Sequence, residues 1–195
     1  AVLSSDMDKT DKVVTMMAEC RDMKLNILPP DINRCEYHFV PVDETTIFYG
    51  LGAIKGLGEA AIDTILGERN RGGPFKDLFD FCQRIDLRKV NRRVLESLIK
   101  AGALDGLGTH RAALMASLNK ALAVADQQSR NRDAGQVDIF GNAVTPAETH
   151  VYEITAEWSE EQRLEGEKET LGLYLTGHPI ARYAEELKRI TDATI

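Results

Sequence analysis

The sequence predicts a mainly α chain with a small β-hairpin, built around two glycine-turn helical hairpins. Three observations carry that reading. Apolar residues recur at helical spacing over most of the chain. Only two short stretches, "YHFV" and "TIFYG", are rich in aromatic and β-branched residues, and "PVDET" separates them. Two Gly-Leu-Gly turns, Gly56-Leu57-Gly58 and Gly106-Leu107-Gly108, each precede an apolar helical run.

The elements follow in order. Val13, Met16, Met17, Cys20 and Met23 lie on one face of a helix over residues 11–24. "ILPPDIN" ends it, because two prolines forbid helix and force an extended turn. The hairpin follows and ends at Gly50. From there to Leu118 every signal is helical. A helix through Ile62, Ile65, Leu66 and Arg69 stops at "RGGP". "FKDLFDFCQRI" is a short apolar helix. Asn91 caps a helix with the face Val94, Leu95, Leu98 and Ile99, which Gly102 ends. Thr109 caps a longer helix bearing Leu114, Leu118 and Leu122.

Residues 127–157 lose periodicity and read as a flexible linker with one apolar pair, Ile139-Phe140, inside it. Ser159 and Gln162 have capping-box spacing before a helix to Leu175, and "ARYAEELKRI" reads as a final helix. The expected organisation is 1–50 with the hairpin, 51–126 with the glycine turns, the 127–157 linker and a 158–195 helical connector. The first residues show no natural domain start, so the chain reads as a piece of something larger.

Composition excludes several classes. The 195 residues are 43% hydrophobic and 28% charged, ordinary for a soluble protein. No apolar run has the length of a membrane span, and no signal peptide opens the chain. Cys20, Cys35 and Cys82 are odd in number and lack a CxxC, which fits reduced, structural thiols in a cytoplasmic chain. The four histidines lie away from them in sequence, so no metal site is expected. The net charge of −7 hides an asymmetry: residues 50–111 carry eleven Lys and Arg against eight Asp and Glu. A basic middle presents a local field to phosphates.

The glycine turns carry the main chemical signal. "AIKGLGEAAIDTI" resembles a helix-hairpin-helix. Gly56 and Gly58 permit tight, positive-φ geometry and let a phosphate approach without a Cβ in its way. Leu57 points inward as an anchor. The first N–H groups of the following helix suit an anion, and Lys55 adds a charge beside them. Such a site grips the sugar-phosphate backbone without reading sequence. In "LIKAGALDGLGTHRAAL" Gly106 and Gly108 form a second, longer turn, where Thr109, His110 and Arg111 supply more than the glycines do. His110 is either a phosphate contact or a surface residue. Between the turns "LRKVNRR" adds Lys89, Arg92 and Arg93. Together these form a tandem helix-hairpin-helix module able to hold both strands of a duplex. The alternatives are ordinary helix caps in a structural spacer, or a repair enzyme, for which Lys55 lacks an evident partner. A phosphate loop of the form GxxxxGK[ST] is absent.

"DMDKTDKVVTMMAECRDMKLNILPPDIN", "YGLGAIKGLGEAAIDTI", "NRRVLESLIKAGALD", "HRAALM", "QVDIF" and "ETLGLYLTGHPI" occur in an order that resembles the bacterial DNA polymerase III alpha-subunit family, the replicative C-family polymerases. The resemblance covers nearly the whole chain. It implies that residues 1–50 end the fingers region, that residues 51–118 contact duplex DNA behind the active site, and that the last residues lead to an OB domain outside this chain. It also implies a clamp-binding motif. Gln136 would sit at the rim of a pocket on the sliding clamp (the beta subunit), Asp138 would set the register, and Ile139 and Phe140 would fill apolar pockets. The parent would be a DNA-directed DNA polymerase using Mg2+ at a site elsewhere and meeting other replisome subunits through other parts. No catalytic residue, cofactor or metal ligand is expected here, and the acids of "WSEEQRLEGEKE" read as a solvated helix face.

Overall fold

The computed structural model describes residues 2–7, 9–133 and 150–180. Seven α-helices appear among them: α1 (Val2–Ser5), α2 (Thr10–Asp22), α3 (Glu59–Gly72), α4 (Leu78–Arg84), α5 (Arg92–Ala101), α6 (Arg111–Asp133) and α7 (Glu160–Leu171). Three short strands join them: β1 (Asn26–Leu28), β2 (Val40–Pro41) and β3 (Thr46–Phe48). The mainly α class stands.

The sheet is more than the expected hairpin. β2 and β3 pair antiparallel, but β1 adds a parallel strand on the other side of β3, with Ile27 opposite Ile47. The Pro29-Pro30 pair therefore ends a strand rather than only making a turn. Most of "YHFV" stays irregular. Gly50 lies against it so closely that a Cβ would come within 2.8 Å of the His38 and Phe39 backbone.

Helix ends follow their local chemistry. The Asp77 and Asn91 side chains accept the Asp80 and Val94 amides at 2.7 and 3.2 Å. Ser159 and Gln162 form the expected reciprocal capping box. Gly102 and Gly172 close α5 and α7 in the left-handed conformation. The cap of α6 is His110 rather than Thr109: its Nδ1 accepts the Ala113 amide at 3.1 Å.

One apolar core runs from Val13 and Met17 of α2 through Ile62 and Ile65, Phe79 and Phe81, Leu95 and Leu98, to Leu114 and Leu118. α4 and α5 lie against α6, and α7 lies against α5. α7 joins this core, with Leu164 and Leu171 buried. Buried Arg69 joins α3 to the loop between β1 and β2, donating to the Ile32 and Cys35 carbonyls and pairing with Glu36.

The expected 127–157 linker differs at both described ends. α6 continues to Asp133, held beyond the core by Arg130–Asp126 and Gln127–Asn131 pairs at i, i+4 spacing. After Ala125 no residue of α6 through Asn131 is buried. The final turns need no apolar face, and so show no apolar period. At the other end His150 and Tyr152 dock on α4. His150 stacks on Phe79 with centroids 4.9 Å apart, and the Glu153 amide donates to Ser117 Oγ at 2.8 Å. The final helix expected from Ala181 lies outside the described residues.

Candidate nucleic-acid interface

The first turn uses the freedom of one of its two glycines, since Gly58 has an ordinary φ of −83°. Gly56 has φ +86°, and a Cβ there would meet Ser97 Oγ of α5 at 3.2 Å. Leu57 is half-buried against the core, as an anchor should be. Gly58 faces open space, with nothing within 4 Å of where a Cβ would stand. Among the described residues no side chain caps α3. The first N–H groups behind Gly58 are therefore available to an external acceptor. Lys55 is exposed, and its ammonium lies 3.7 Å from where a Gly172 Cβ would stand, at the end of α7. Its own N–H is committed to the Thr170 carbonyl at 2.8 Å, which docks the last turn of α7 on the hairpin. Glu59, the first residue of α3, places a carboxylate at the same end and opposes an incoming phosphate.

The second turn is more closed. Gly102 starts it at φ +82°, and a short 3-10 turn spans Asp105–Leu107. Leu107 is buried, and its carbonyl accepts the Tyr152 hydroxyl. Gly108 has extended φ, and a Cβ there would strike Leu114 Cδ2 at 2.8 Å. Asp105, Gly106 and Thr109 are open to solvent, so a carboxylate shares the exposed side of this turn, and His110 is half-buried in its capping role.

Arg111 corrects the expectation of a phosphate contact. It is 5% exposed. Nε and Nη2 hold the Asp105 carboxylate at 2.9 Å, and Nη1 reaches Glu167 at 3.1 Å and the Lys100 carbonyl at 3.2 Å. Burial works against its charge, but the Asp105 and Glu167 carboxylates outweigh it and hold its pKa above the usual arginine value. A guanidinium so enclosed braces the fold and does not reach a duplex.

The basic start of α5 is not beside the second turn. Arg92 meets Asn119 at one end of α5, and Lys100 meets Arg111 at the other, so α5 and α6 run antiparallel. The ten residues of α5 separate the two ends by about 15 Å at 1.5 Å rise per residue. Arg92 also pairs with Glu96, whereas Lys89 and Arg93 are exposed and make no ion pair among the described residues.

The local positive charge is smaller in effect than its count. Seven of the eleven basic residues in 50–111 hold carboxylates: Arg69, Arg71, Arg84, Arg88, Arg92, Lys100 and Arg111. That leaves Lys55, Lys76, Lys89 and Arg93. The outer face of α7 has the wrong sign for DNA, with a groove of about 610 Å³ lined by Glu160, Glu161, Glu165 and Glu169 around Leu164 and Tyr174.

Sequence reasoning missed Glu167, which is fully buried rather than part of a solvated face. Its spacing from Leu164 and Leu171 puts it on their face of α7, which is the signal that could have found it. It also missed Tyr152. Gln136, Asp138, Ile139 and Phe140 lie outside the described residues. Among those described, no group of three or more His, Cys, Asp or Glu could hold a metal ion, and no helix is long and apolar enough to cross a membrane.

The helix-hairpin-helix motif family matches residues 24–114. The DNA polymerase III subunit alpha of Vibrio cholerae serotype O1 is 54% identical over 198 residues, covering 100% of this chain and 17% of that protein. The subunit of Escherichia coli K12 is 53% identical over 191 residues, 97% of this chain and 16% of that protein. That of Pseudomonas aeruginosa is 48% identical over 207 residues, 97% of this chain and 18% of that protein. The chain therefore spans about one sixth of the length of these curated relatives. Over nearly its whole length the chain is similar to an internal segment of these DNA polymerase III alpha subunits, and residues 24–114 carry the helix-hairpin-helix match.

Proposed function

We propose that this segment binds duplex DNA without sequence preference, as part of a replicative DNA-directed DNA polymerase. The observation that carries the reading is the open start of α3 behind Gly58, uncapped among the described residues, with exposed Lys55 three residues before Gly58 in the chain, inside a matched helix-hairpin-helix motif. N–H groups and one ammonium suit a backbone phosphate. Gly106 and Thr109 offer a second contact, and Lys89 and Arg93 a third. The polymerase chemistry, with its Mg2+, belongs to other parts of the parent, which would work in the cytoplasm.

Duplex binding measured against salt tests this. Affinity should fall steeply as salt rises, with each phosphate contact adding about 0.9 to the slope of log K against log salt. Lys55→Glu/Arg93→Glu should weaken binding and flatten that slope. Equal affinity of the variant and the unaltered chain would overturn the reading. A spacer with no DNA binding of its own is the second reading, and the seven internally paired cations favour it.

Clamp binding by Gln136, Asp138, Ile139 and Phe140 is the other half of the proposal. The support is the pattern "QVDIF" in a chain related to the alpha subunit. Two weak contacts on one chain, to DNA and to a ring around it, raise each other's effective concentration. Binding to the bacterial sliding clamp that Phe140→Ala abolishes is the expected result. Binding indifferent to Phe140→Ala would remove this role.

A further inference from the structure

We infer that Glu167 is a positioning residue for the second glycine turn, acting on it through Arg111. The inference rests on the reading of that turn as a DNA contact.

Glu167 is fully buried, yet every lone-pair direction it offers is used. Oε1 accepts from Arg111 Nη1 at 3.1 Å and from Thr176 Oγ1 at 2.6 Å. Oε2 accepts the Leu175 and Thr176 amides at 2.8 and 3.0 Å. One carboxylate thus fixes the chain after α7 and one face of a guanidinium. The other edge of that guanidinium holds Asp105, inside the turn, through Nε and Nη2. The guanidinium also lies where Gly102 would carry a Cβ, 2.2 Å from that point. Gly102 starts the turn. Arg111 therefore touches the turn at its first residue and at its 3-10 segment, and Glu167 sets where Arg111 sits.

The path is short and each step is a charge-assisted hydrogen bond; the Glu167–Arg111 step is enclosed, where such bonds are strong and geometrically strict, and the Arg111–Asp105 step is bidentate with Asp105 half exposed. A second link, Lys100–Glu169 at 2.7 Å, joins α5 to α7 at the surface. It is more exposed and touches no residue of the turn, so it serves as an internal control.

The test is amide hydrogen exchange on the complete 195-residue chain, with duplex affinity measured alongside. Glu167→Gln keeps the shape but removes the charge that pairs with Arg111, and its NH2 must face either the Arg111 guanidinium or the Leu175 and Thr176 amides. The Asp105 and Leu107 amides, bonded to the Gly102 and Leu104 carbonyls, report the turn. They should exchange roughly tenfold faster in Glu167→Gln, duplex affinity should drop about threefold, and Ile62 and Ile65 should not change; Glu169→Ala should leave the turn as it is. Unchanged Asp105 and Leu107 amides, with only residues 172–176 loosened, would overturn the inference. A faster turn with unaltered duplex affinity would overturn the DNA role of the turn and leave the positioning role standing. If Glu167→Gln fails to fold, Thr176→Val decides, because it removes one bond and keeps the charge. Selective loosening of the turn supports positioning, and no loosening, or loosening everywhere, sinks it.

Discussion

Tyr152 donates its hydroxyl hydrogen to the carbonyl of Leu107, the apolar anchor of the second glycine turn. The same oxygen accepts the Leu78 amide, the first of α4, at 2.8 Å. One phenol thereby closes the start of α4 and the exposed side of the turn, while its ring packs edge-on against Phe79 with centroids 5.6 Å apart.

Tyr152→Phe keeps that ring and removes both bonds. A helix-start amide and a turn carbonyl would be left without partners in a half-buried setting. The expected loss is about 1–3 kcal/mol of unfolding free energy, read as a lower urea midpoint with an unchanged slope. A loss under about 0.5 kcal/mol would show that residues 150–158 are held by ring packing alone.

Arg111 and Lys55 should separate stability from binding. Arg111→Ala strands Glu167 as an unpaired buried carboxylate, and should cost about 3–5 kcal/mol. Lys55→Ala changes an exposed side chain with no ion pair among the described residues, and should stay within about 0.5 kcal/mol of the unaltered chain. Duplex affinity should respond to Lys55→Ala at full stability. Thermal melts and binding isotherms on the same samples check both halves, and a destabilised Lys55→Ala would contradict its placement in solvent.

These contrasts mark what the sequence could and could not show. Helices α2 to α7 were legible because their apolar faces and caps are local: Asn91 three residues before Val94, Ser159 three before Gln162. The end of α6 was not, because past Ala125 the helix leaves the core and loses the period that announces a helix. β1 was hidden because its partner is β3, about twenty residues away, and nothing in "NIL" names that partner. Of the four glycines read as turn residues only Gly56 adopts positive φ, whereas Gly102, read as a helix end, does so as a helix end should. The fate of Arg111 was not legible, because Glu167 lies 56 positions away and their meeting is set by packing alone.

Gly58 and Gly102 look alike in sequence and should behave oppositely. Gly58 has φ −83° and open space before it. Gly58→Ala should leave stability within about 0.5 kcal/mol, yet place a methyl group where a phosphate would approach and weaken duplex binding. Gly102→Ala meets both positive φ and the Arg111 guanidinium, and should cost at least about 1 kcal/mol. Melting temperature and duplex affinity of the two variants give the comparison. A Gly58→Ala chain that binds DNA unchanged would move the phosphate contact away from the first turn.

The buried thiols predict a loss of stability in alkali. Burial pushes the Cys35 thiol up to about 11 and the Cys82 thiol up to about 12, from an ordinary 9.0. As pH rises past 9.0 the unfolded chain loses these protons first, so it binds fewer protons than the folded one. Stability must then fall with rising pH, starting near the unfolded value and levelling off only above the folded ones. Below pH 9.0 both states hold the protons and the thiols add no slope. Tyr49 and Tyr152, also raised by burial, add to the fall with the same sign. Urea unfolding at about pH 8 and about pH 10.5 should therefore show a lower free energy at the higher pH, and Cys35→Ala/Cys82→Ala should reduce that drop to the tyrosine share. At about pH 8, an alkylating reagent should reach half-buried Cys20 first, since reactivity follows thiolate fraction and access. Equal labelling of all three cysteines in the folded chain would show that Cys35 and Cys82 are not enclosed as described.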